Sequence, residues 1–171
     1  MDPQLLALAP MTFENLYHIG YLVPDLPAAM ATFEERLQIT WAAPFEMENG
    51  FVTATGEADS DRVRVAFSTA GPPYLELVEV VPRVGSIFAE PAGGGIHHLG
   101  VYAERWRGEV ARLVSAGMKL ECTGSGLAFV RDPQLGLRIE IVSFKGRDFL
   151  TRILSGQLGE EHPFSSPSPA A

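Results

Sequence analysis

Residues 18–23 read His-Ile-Gly-Tyr-Leu-Val and residues 98–101 read His-Leu-Gly-Val, so the segment His18-Ile19-Gly20 returns as His98-Leu99-Gly100. The copies lie 80 positions apart, in segments rich in aromatic and β-branched residues, which is typical of β-strands. The amphipathic pattern that follows each copy repeats at the same offset, since Met30 falls on Val110. This repeat predicts two copies of one supersecondary unit.

Each copy opens a unit of one strand, one helix and three further strands. Helices are predicted over residues 26–37 and 106–116, with Asp25 as the N-cap of the first and Gly117 as the end of the second. The strands are predicted over residues 13–23, 41–47, 63–68 and 74–81 in the first unit, and 96–103, 120–123, 127–131 and 137–144 in the second. This order indicates an α+β fold, in which two tandem βαβββ modules form a curved mixed sheet with an open, barrel-like concave face.

The predicted domain organisation places the two modules in the middle of the chain. The expected segments are an N-terminal extension (1–11), the first module (12–82), a linker (83–95), the second module (96–145), a C-terminal helix (146–158) and a disordered tail (159–171). Residues 48–61 have no counterpart in the second module, and we expect them to form an extended hairpin or a mobile loop.

The composition excludes several classes of function. The chain has 13 Lys+Arg against 21 Asp+Glu and a formal net charge of −8, which argues against nucleic acid and an anionic membrane surface as partners. Neither a transmembrane run nor a secretory signal is expected, because residues 1–10 contain no Lys or Arg and no long apolar run follows. The single cysteine, Cys122, is expected to be a small buried hydrophobe. We therefore expect a cytoplasmic protein that acts on a small-molecule substrate.

Two histidines and two glutamates occupy matching positions of the two modules. His18 matches His98 in the first strands, and Glu76 matches Glu140 in the last strands. A carboxylate flanked by apolar neighbours is costly to bury unless it is paired or bound to a cation. One such histidine alone is more often structural than a ligand, but the repetition of both positions favours a shared site. Two imidazoles and two carboxylates suit one divalent ion of Zn, Co, Ni, Mn or Fe.

Neighbouring polar residues extend the predicted site. Because side chains alternate along a strand, His97 is expected on the face opposite His98, packed under the helix or hydrogen-bonded at the sheet edge. Tyr74, Tyr102 and Arg138 share the faces of the ligands and are predicted substrate-binding residues, with Arg138 as an anchor for a carboxylate. Core packing is the competing interpretation for the two tyrosines.

Four segments carry a resemblance to a known family. They begin at His18, Tyr74, Gly95 and Leu137, and read His-Ile-Gly-Tyr-Leu-Val-Pro-Asp-Leu, Tyr-Leu-Glu-Leu-Val-Glu, Gly-Ile-His-His-Leu-Gly-Val and Leu-Arg-Ile-Glu-Ile-Val. Together they resemble the vicinal oxygen chelate superfamily, which includes glyoxalase I, methylmalonyl-CoA epimerase, extradiol dioxygenases and the bleomycin and fosfomycin resistance proteins. The layout over about residues 12–145 is similar to the glyoxalase and epimerase branch.

The resemblance implies a metal held on the concave sheet face by His18, Glu76, His98 and Glu140, with substrate oxygens chelating it. In that branch the metal polarises a carbonyl and stabilises an enediolate, while a glutamate of the site moves the proton on the adjacent carbon. By this analogy Glu140 is the first candidate for the base and Glu76 the second. The implied function is that of a metal-dependent isomerase, epimerase or lyase for a small carbonyl or thioester substrate.

One position departs from the epimerases. They carry a further catalytic carboxylate on the strand that corresponds to residues 63–68, where this chain has no acid. This difference argues against methylmalonyl-CoA epimerase itself. Glu46, Glu48 and Glu57 are the candidates to replace that carboxylate.

Two alternative functions fit the same fold. An extradiol-type ring-cleaving dioxygenase needs two histidines and one carboxylate around iron, with coordination positions left open. A metal-free, drug-sequestering binding protein would need none of the ligands. Whatever the function, a homodimer is expected, because exposed sheet edges and the terminal helix offer a surface to a second copy.

Overall fold

The computed structural model describes residues 15–80, 85–89, 91 and 93–157. The elements in chain order are β1 (Leu16–Leu22), α1 (Leu26–Leu37), β2 (Phe45–Thr53), β3 (Ala58–Phe67), β4 (Tyr74–Val80), β5 (Gly95–Tyr102), α2 (Trp106–Ser115), β6 (Lys119–Thr123), β7 (Leu127–Arg131), β8 (Arg138–Val142) and α3 (Phe144–Leu154). This order confirms the predicted α+β fold class. The expected N-terminal extension, the disordered tail and residues 83, 84, 90 and 92 of the expected linker lie outside the described residues.

The eight strands form one closed mixed barrel in the order β1-β4-β3-β2-β6-β7-β8-β5. In each half the first strand runs parallel to the last, β1 beside β4 and β5 beside β8. The halves meet at two antiparallel seams, a long one between β1 and β5 and a short one between β2 and β6. The short seam, at Val52 and Thr53, turns the expected open, barrel-like sheet into a ring.

The apolar side chains form three clusters, one inside the barrel and one beneath each of the first two helices. Leu22, Val65 and Phe129 belong to the interior cluster. Ala66 and Leu77 pack against Leu26 of α1, while Val101, Val130 and Ile141 pack under α2. The alternation along each strand therefore sends one set of side chains into the barrel and the other towards a helix. The predicted N-cap is confirmed, because Asp25 Oδ1 accepts a 2.8 Å hydrogen bond from the Ala28 amide.

The stretch without a counterpart in the second module is the extension of a hairpin. β2 pairs with β3 from Phe45↔Val65 to Val52↔Ala58, so the expected hairpin is confirmed and the mobile loop is wrong. The strand predicted over residues 41–47 begins later than expected, at Phe45. Pro44 lacks the amide hydrogen that a ladder needs, and β2 begins only after it, at Phe45.

The C-terminal helix begins two residues before its predicted start and ends four residues before its predicted end. α3 follows Ser143, which has extended backbone angles, and it ends at Leu154. Phe149, Leu150 and Ile153 are buried in the interior cluster, so α3 covers one end of the barrel. Within the described part of the chain, no helix is long and apolar enough to span a membrane.

Candidate metal centre

The two repeated histidines meet inside the barrel. His18 projects from β1 and His98 from β5, and their Nε2 atoms lie 2.9 Å apart. The side chains are almost fully buried, with exposed fractions of 4% and 2%. The antiparallel β1–β5 seam places them across from each other, because His18 pairs with Gly100 and His98 pairs with Gly20.

The two repeated glutamates reach the same point from the neighbouring parallel strands. Glu76 on β4 pairs with Gly20, and Glu140 on β8 pairs with Gly100. One oxygen of Glu140 lies 2.8 Å from His18 Nε2 and 3.4 Å from His98 Nε2. One oxygen of Glu76 lies 3.2 Å from His98 Nε2 and 3.6 Å from His18 Nε2.

Each imidazole rests on a glycine of the opposite module. A Cβ added to Gly20 would lie 2.0 Å from the ring of His98, and one added to Gly100 would lie 2.2 Å from the ring of His18. In each copy of the repeated His-x-Gly pattern, the histidine faces the cluster and the glycine leaves space for the histidine of the other copy.

The donor set and its spacing fit one metal ion. Ligands about 2.1 Å from a common ion lie roughly 3.0–3.4 Å apart in octahedral or tetrahedral geometry. Three of the donor atoms, one each from His18, Glu76 and His98, lie within 4.8 Å of one another. Glu140 contacts both imidazoles and adds a second carboxylate. The spacing matches what one ion would require of these four side chains.

Hydrogen bonding within the cluster shifts the pKa values of its members. Burial opposes the charged form of His98, but hydrogen bonds to Glu140 and Glu76 outweigh it and raise the pKa to about 9. Burial likewise opposes ionisation of Glu140, and its bonds to His18 and His98 outweigh it and hold its pKa well below the usual range. The raised pKa keeps His98 protonated at neutral pH, and its positive charge offsets the negative charge of Glu140.

Register shifts at matching positions turn two further residues inward. The pairing of β1 with β5 shifts at two places. Between Leu16 and His18, β1 contains one residue more than β5. Between Gly20 and Tyr21, β5 contains one residue more than β1. The residues bypassed are Tyr17 and His97, which are repeat equivalents. His97 was expected on the face opposite His98, and that expectation is wrong. Its ring stacks on Phe88 at 4.9 Å and lies 5.1 Å from the His98 ring.

His97 supports the ring of His98 through its nitrogen atoms. The Nδ1 atoms of the two rings lie 2.8 Å apart, and His97 Nε2 lies 2.9 Å from the Ile87 carbonyl oxygen. In the tautomer with the proton on Nε2, His97 donates to that carbonyl and its Nδ1 accepts from His98 Nδ1–H. In the other tautomer, Nε2 accepts from Arg138 NH1 and Nδ1–H donates to His98 Nδ1. In the first of these tautomers, a His98 that has lost its Nε2 proton would direct the lone pair of that atom into the cluster. Burial, followed by the proximity of His98 and Arg138, lowers the pKa of His97 to about 3, so this ring is neutral.

The structure gives Arg138 partners within the protein. Its Nε and NH2 groups donate to Glu121 at 2.6 and 2.9 Å, and NH1 contacts His97 Nε2. The side chain is 7% exposed. Arg138 therefore sits at the base of the His97–His98 pair, and it does not line the cavities described below.

One cavity borders the cluster, and a second cavity lies next to the first. The inner one, of about 60 Å³, is lined by His18, Glu76 and Glu140 and is covered by Phe149 and Leu150 of α3. The outer one, of about 320 Å³, is lined by both predicted tyrosines, Tyr74 and Tyr102. Tyr17 and Leu150 line both cavities and form the wall between them.

Sequence reasoning missed several residues that line these cavities. Tyr17 is found by carrying the repeat offset from His97, whereas Asn49 in the inner cavity and Arg147 in the outer one carry no such signal. Burial and the nearby Glu140 raise the pKa of Tyr17 above its usual range, so its hydroxyl stays protonated.

Three residues proposed from the sequence as replacement carboxylates lie away from the cluster. Glu46 pairs with Arg62, Glu48 accepts a hydrogen bond from Ser60, and Glu57 lies in the hairpin turn. By contrast, Cys122 is fully buried as expected, and burial raises its pKa to about 12.

Comparisons with known proteins agree with this geometry. The family model described as Glyoxalase/Bleomycin resistance protein/Dioxygenase superfamily matches residues 17–139. Methylmalonyl-CoA epimerase from Mycobacterium tuberculosis is similar in structure, with 19% identity, a TM-score of 0.53, and 81% of this chain and 93% of that chain covered. A Streptomyces coelicolor methylmalonyl-CoA epimerase variant in complex with 2-nitronate-propionyl-CoA has 17% identity, a TM-score of 0.52, and coverages of 75% and 96%.

A larger protein shares the same fold. A 4-hydroxymandelate synthase mutant from Streptomyces coelicolor has 13% identity and a TM-score of 0.52, with 75% of this chain and 48% of that chain covered. No curated protein matches the chain. At these identities the solved structures establish the fold alone.

Proposed function

The chain belongs to the glyoxalase/bleomycin resistance protein/dioxygenase superfamily, the vicinal oxygen chelate superfamily, and from this premise we propose that it is a metal-dependent isomerase, epimerase or lyase. Its substrate is a small carbonyl or thioester compound. The observation that carries the proposal is the convergence of His18, Glu76, His98 and Glu140 on one point inside the barrel.

The four side chains would hold one divalent ion through two nitrogen and two oxygen donors. Zn, Co, Ni, Mn and Fe accept such a mixed set, whereas ions that prefer thiolate find no cysteine among the described residues that line the inner cavity. When bound, the metal acts as a Lewis acid that polarises a substrate carbonyl and lowers the free energy of negative charge on its oxygen. Metal binding would release a proton from His98, because the proton and the metal ion would occupy the same atom, Nε2.

A carboxylate of the cluster moves the proton on the carbon next to the carbonyl. Glu140 is the first candidate, because it is ionised, lines the inner cavity and contacts both imidazoles. Glu76 lines the same cavity and is the second candidate. Phe149 and Leu150 line the same cavity and give it an apolar wall beside the two carboxylates.

The outer cavity receives the rest of the substrate. Tyr74 and Tyr102, predicted from the strand period to bind substrate, line it together, and Tyr17 separates it from the cluster. The S. coelicolor epimerase variant binds a CoA ester, which supports a thioester as one candidate class. We assign Arg138 to the support of the His97–His98 pair and not to substrate binding, since its guanidinium is paired with Glu121.

The donor set distinguishes this proposal from its alternatives. Non-haem iron dioxygenases use two histidines and one carboxylate and leave the other positions open, whereas here two carboxylates contact the imidazoles. A metal-free binding protein has no need of four convergent ligands in a buried cluster. Location in the cytoplasm and assembly as a homodimer remain predictions from the sequence.

Metal content and proton exchange test the proposal together. We expect about one divalent ion per chain in the purified protein, and loss of that ion in His98→Ala. Hydroxy-carbonyl and acyl-thioester compounds incubated in D₂O should exchange the hydrogen next to the carbonyl, as followed by NMR. Glu140→Gln should abolish this exchange, while Glu46→Gln, which changes an exposed carboxylate, should preserve it.

Two outcomes would favour the alternatives. Stoichiometric iron together with ring cleavage of catechols would establish a dioxygenase. Purification without metal, with ligand binding unchanged in Glu140→Gln, would establish a metal-free binding protein.

A further inference from the structure

Among the described residues that line the outer cavity there is one cation and no acid. Its polar lining residues are Asn15, three tyrosines, Thr151 and Arg147, although the chain contains 21 Asp+Glu. The inner cavity next to it has the opposite character, with two glutamates. The electrostatic difference between the two neighbouring cavities favours a ligand that carries negative charge in the outer one.

Arg147 is an exposed residue whose guanidinium lies over two aromatic rings. Its guanidinium carbon lies 4.7 Å from the ring centre of Tyr102 and 4.9 Å from that of Phe144. Stacking of this kind fixes the plane of a guanidinium and leaves the N–H groups at its edge free to donate.

No carboxylate neutralises Arg147 among the described residues. The other arginines that contact the barrel do have such partners, Arg64 with Glu79 and Arg138 with Glu121. An arginine that lines a cavity of about 320 Å³ without an acid partner has the planar fork of donors that recognises a carboxylate or a phosphate.

We propose that Arg147 and the outer cavity form a binding site for the anionic group, a carboxylate or phosphate, of an organic ligand whose apolar part lies against Tyr74 and Tyr102. Tyr17 and Leu150 line both cavities, so a ligand in the outer cavity would contact the same two side chains that form a wall of the inner cavity. The assignment of this ligand as the substrate rests on the proposed function. The anion site itself depends only on the cavity and on Arg147.

Simple aromatic anions test the site. The full-length protein is titrated by calorimetry with 3-phenylpropanoate, phenyl phosphate and the neutral 3-phenylpropanamide. We expect each anion to bind at least ten-fold more tightly than the amide. The tighter of the two anions identifies which group the natural ligand carries.

Arginine variants locate the binding. Arg147→Gln should bring the affinity for both anions down to that for the amide, whereas Arg147→Lys should retain part of it. Arg107→Gln is the matched control, because Arg107 also stacks on an aromatic ring, 4.4 Å from the ring centre of Trp106, but does not line this cavity. Circular dichroism verifies that each variant is folded.

The results separate this proposal from that of the metal-dependent reaction. Anion binding that persists in His98→Ala or after chelation supports the site whatever the fate of the metal proposal. Equal binding of anions and amide, no saturable binding of either anion, or an equal loss in Arg147→Gln and Arg107→Gln would overturn the site, even if metal-dependent exchange is found.

Discussion

The ring of His98 lies directly on the backbone of Gly20, where a Cβ atom would come within 2.0 Å of it. The same relation holds between His18 and Gly100 across the pseudo-symmetric seam. Each ligand strand therefore makes room for the ligand of the other strand. Neither histidine can take its place unless the opposite module keeps a residue without a side chain.

Alanine at Gly100 should displace the His18 ring although none of the four ligand residues is replaced. The added methyl group forces the His18 ring away, so we expect Gly100→Ala to weaken metal binding at least ten-fold and to lower the free energy of unfolding by about 1–3 kcal/mol. Metal titration and thermal unfolding measure the two effects. Gly108→Ala is the control, since a Cβ there meets no atom within 4 Å; comparable losses in both variants would contradict this account.

Replacement of His97 by phenylalanine should weaken metal binding through His98. The phenyl ring can keep the stack on Phe88 but cannot accept a hydrogen bond from His98 Nδ1–H, so the affinity should fall about 10- to 100-fold. Calorimetry with Zn or Co measures the change. Tyr17→Phe alters the equivalent bulge without removing a bond to His18, and it should leave the affinity within about three-fold. An unchanged affinity in His97→Phe would show that His98 needs no such partner.

The stability of the metal-free protein should pass through a maximum near pH 6.5. The raised pKa of His98, about 9, contributes stability that is fully present below pH 6.5 and is lost as the pH rises towards 9. His97, with a pKa lowered to about 3 by burial, and Glu140 both make the folded state bind fewer protons than the unfolded state in acid. Stability is therefore lost as the pH falls below 6.5.

Denaturant unfolding after chelation, from pH 4 to 9, measures this profile. Each limb should amount to on the order of 1–3 kcal/mol. Saturation with metal should remove the decline above pH 6.5, because the ion replaces the proton on His98. A metal-free protein that gains stability between pH 6.5 and 9 would refute the assignment of that proton.

Loss of the charge on Glu121 should destabilise the base of the cluster. Arg138 is buried and accounts for two charge-assisted bonds to Glu121, so Glu121→Gln leaves a buried guanidinium uncompensated, at a cost of about 3–5 kcal/mol. Glu46→Gln breaks an exposed pair with Arg62 and should cost less than about 1 kcal/mol. Chemical denaturation of both variants makes the comparison, and similar costs would show that the Arg138 pair is effectively solvated.

The sequence by itself determined the repeat, both outer helices and the identity of the four converging side chains. These features depend on local periodicity and on spacing along the chain, which do not require knowledge of distant contacts. α1 spans Leu26–Leu37 as predicted, and the matching of His18 with His98 and of Glu76 with Glu140 follows from comparing one half with the other.

Only the tertiary structure decided which side His97 faces, which arginine lines the outer cavity and how the barrel closes. A register shift in the β1–β5 ladder breaks the two-residue alternation, so the strand period misplaced His97. Arg138 is paired with Glu121, while the packing of α3 brings Arg147 to the outer cavity. These outcomes depend on contacts between residues far apart in the chain, and a pattern read along one strand carries no information about them.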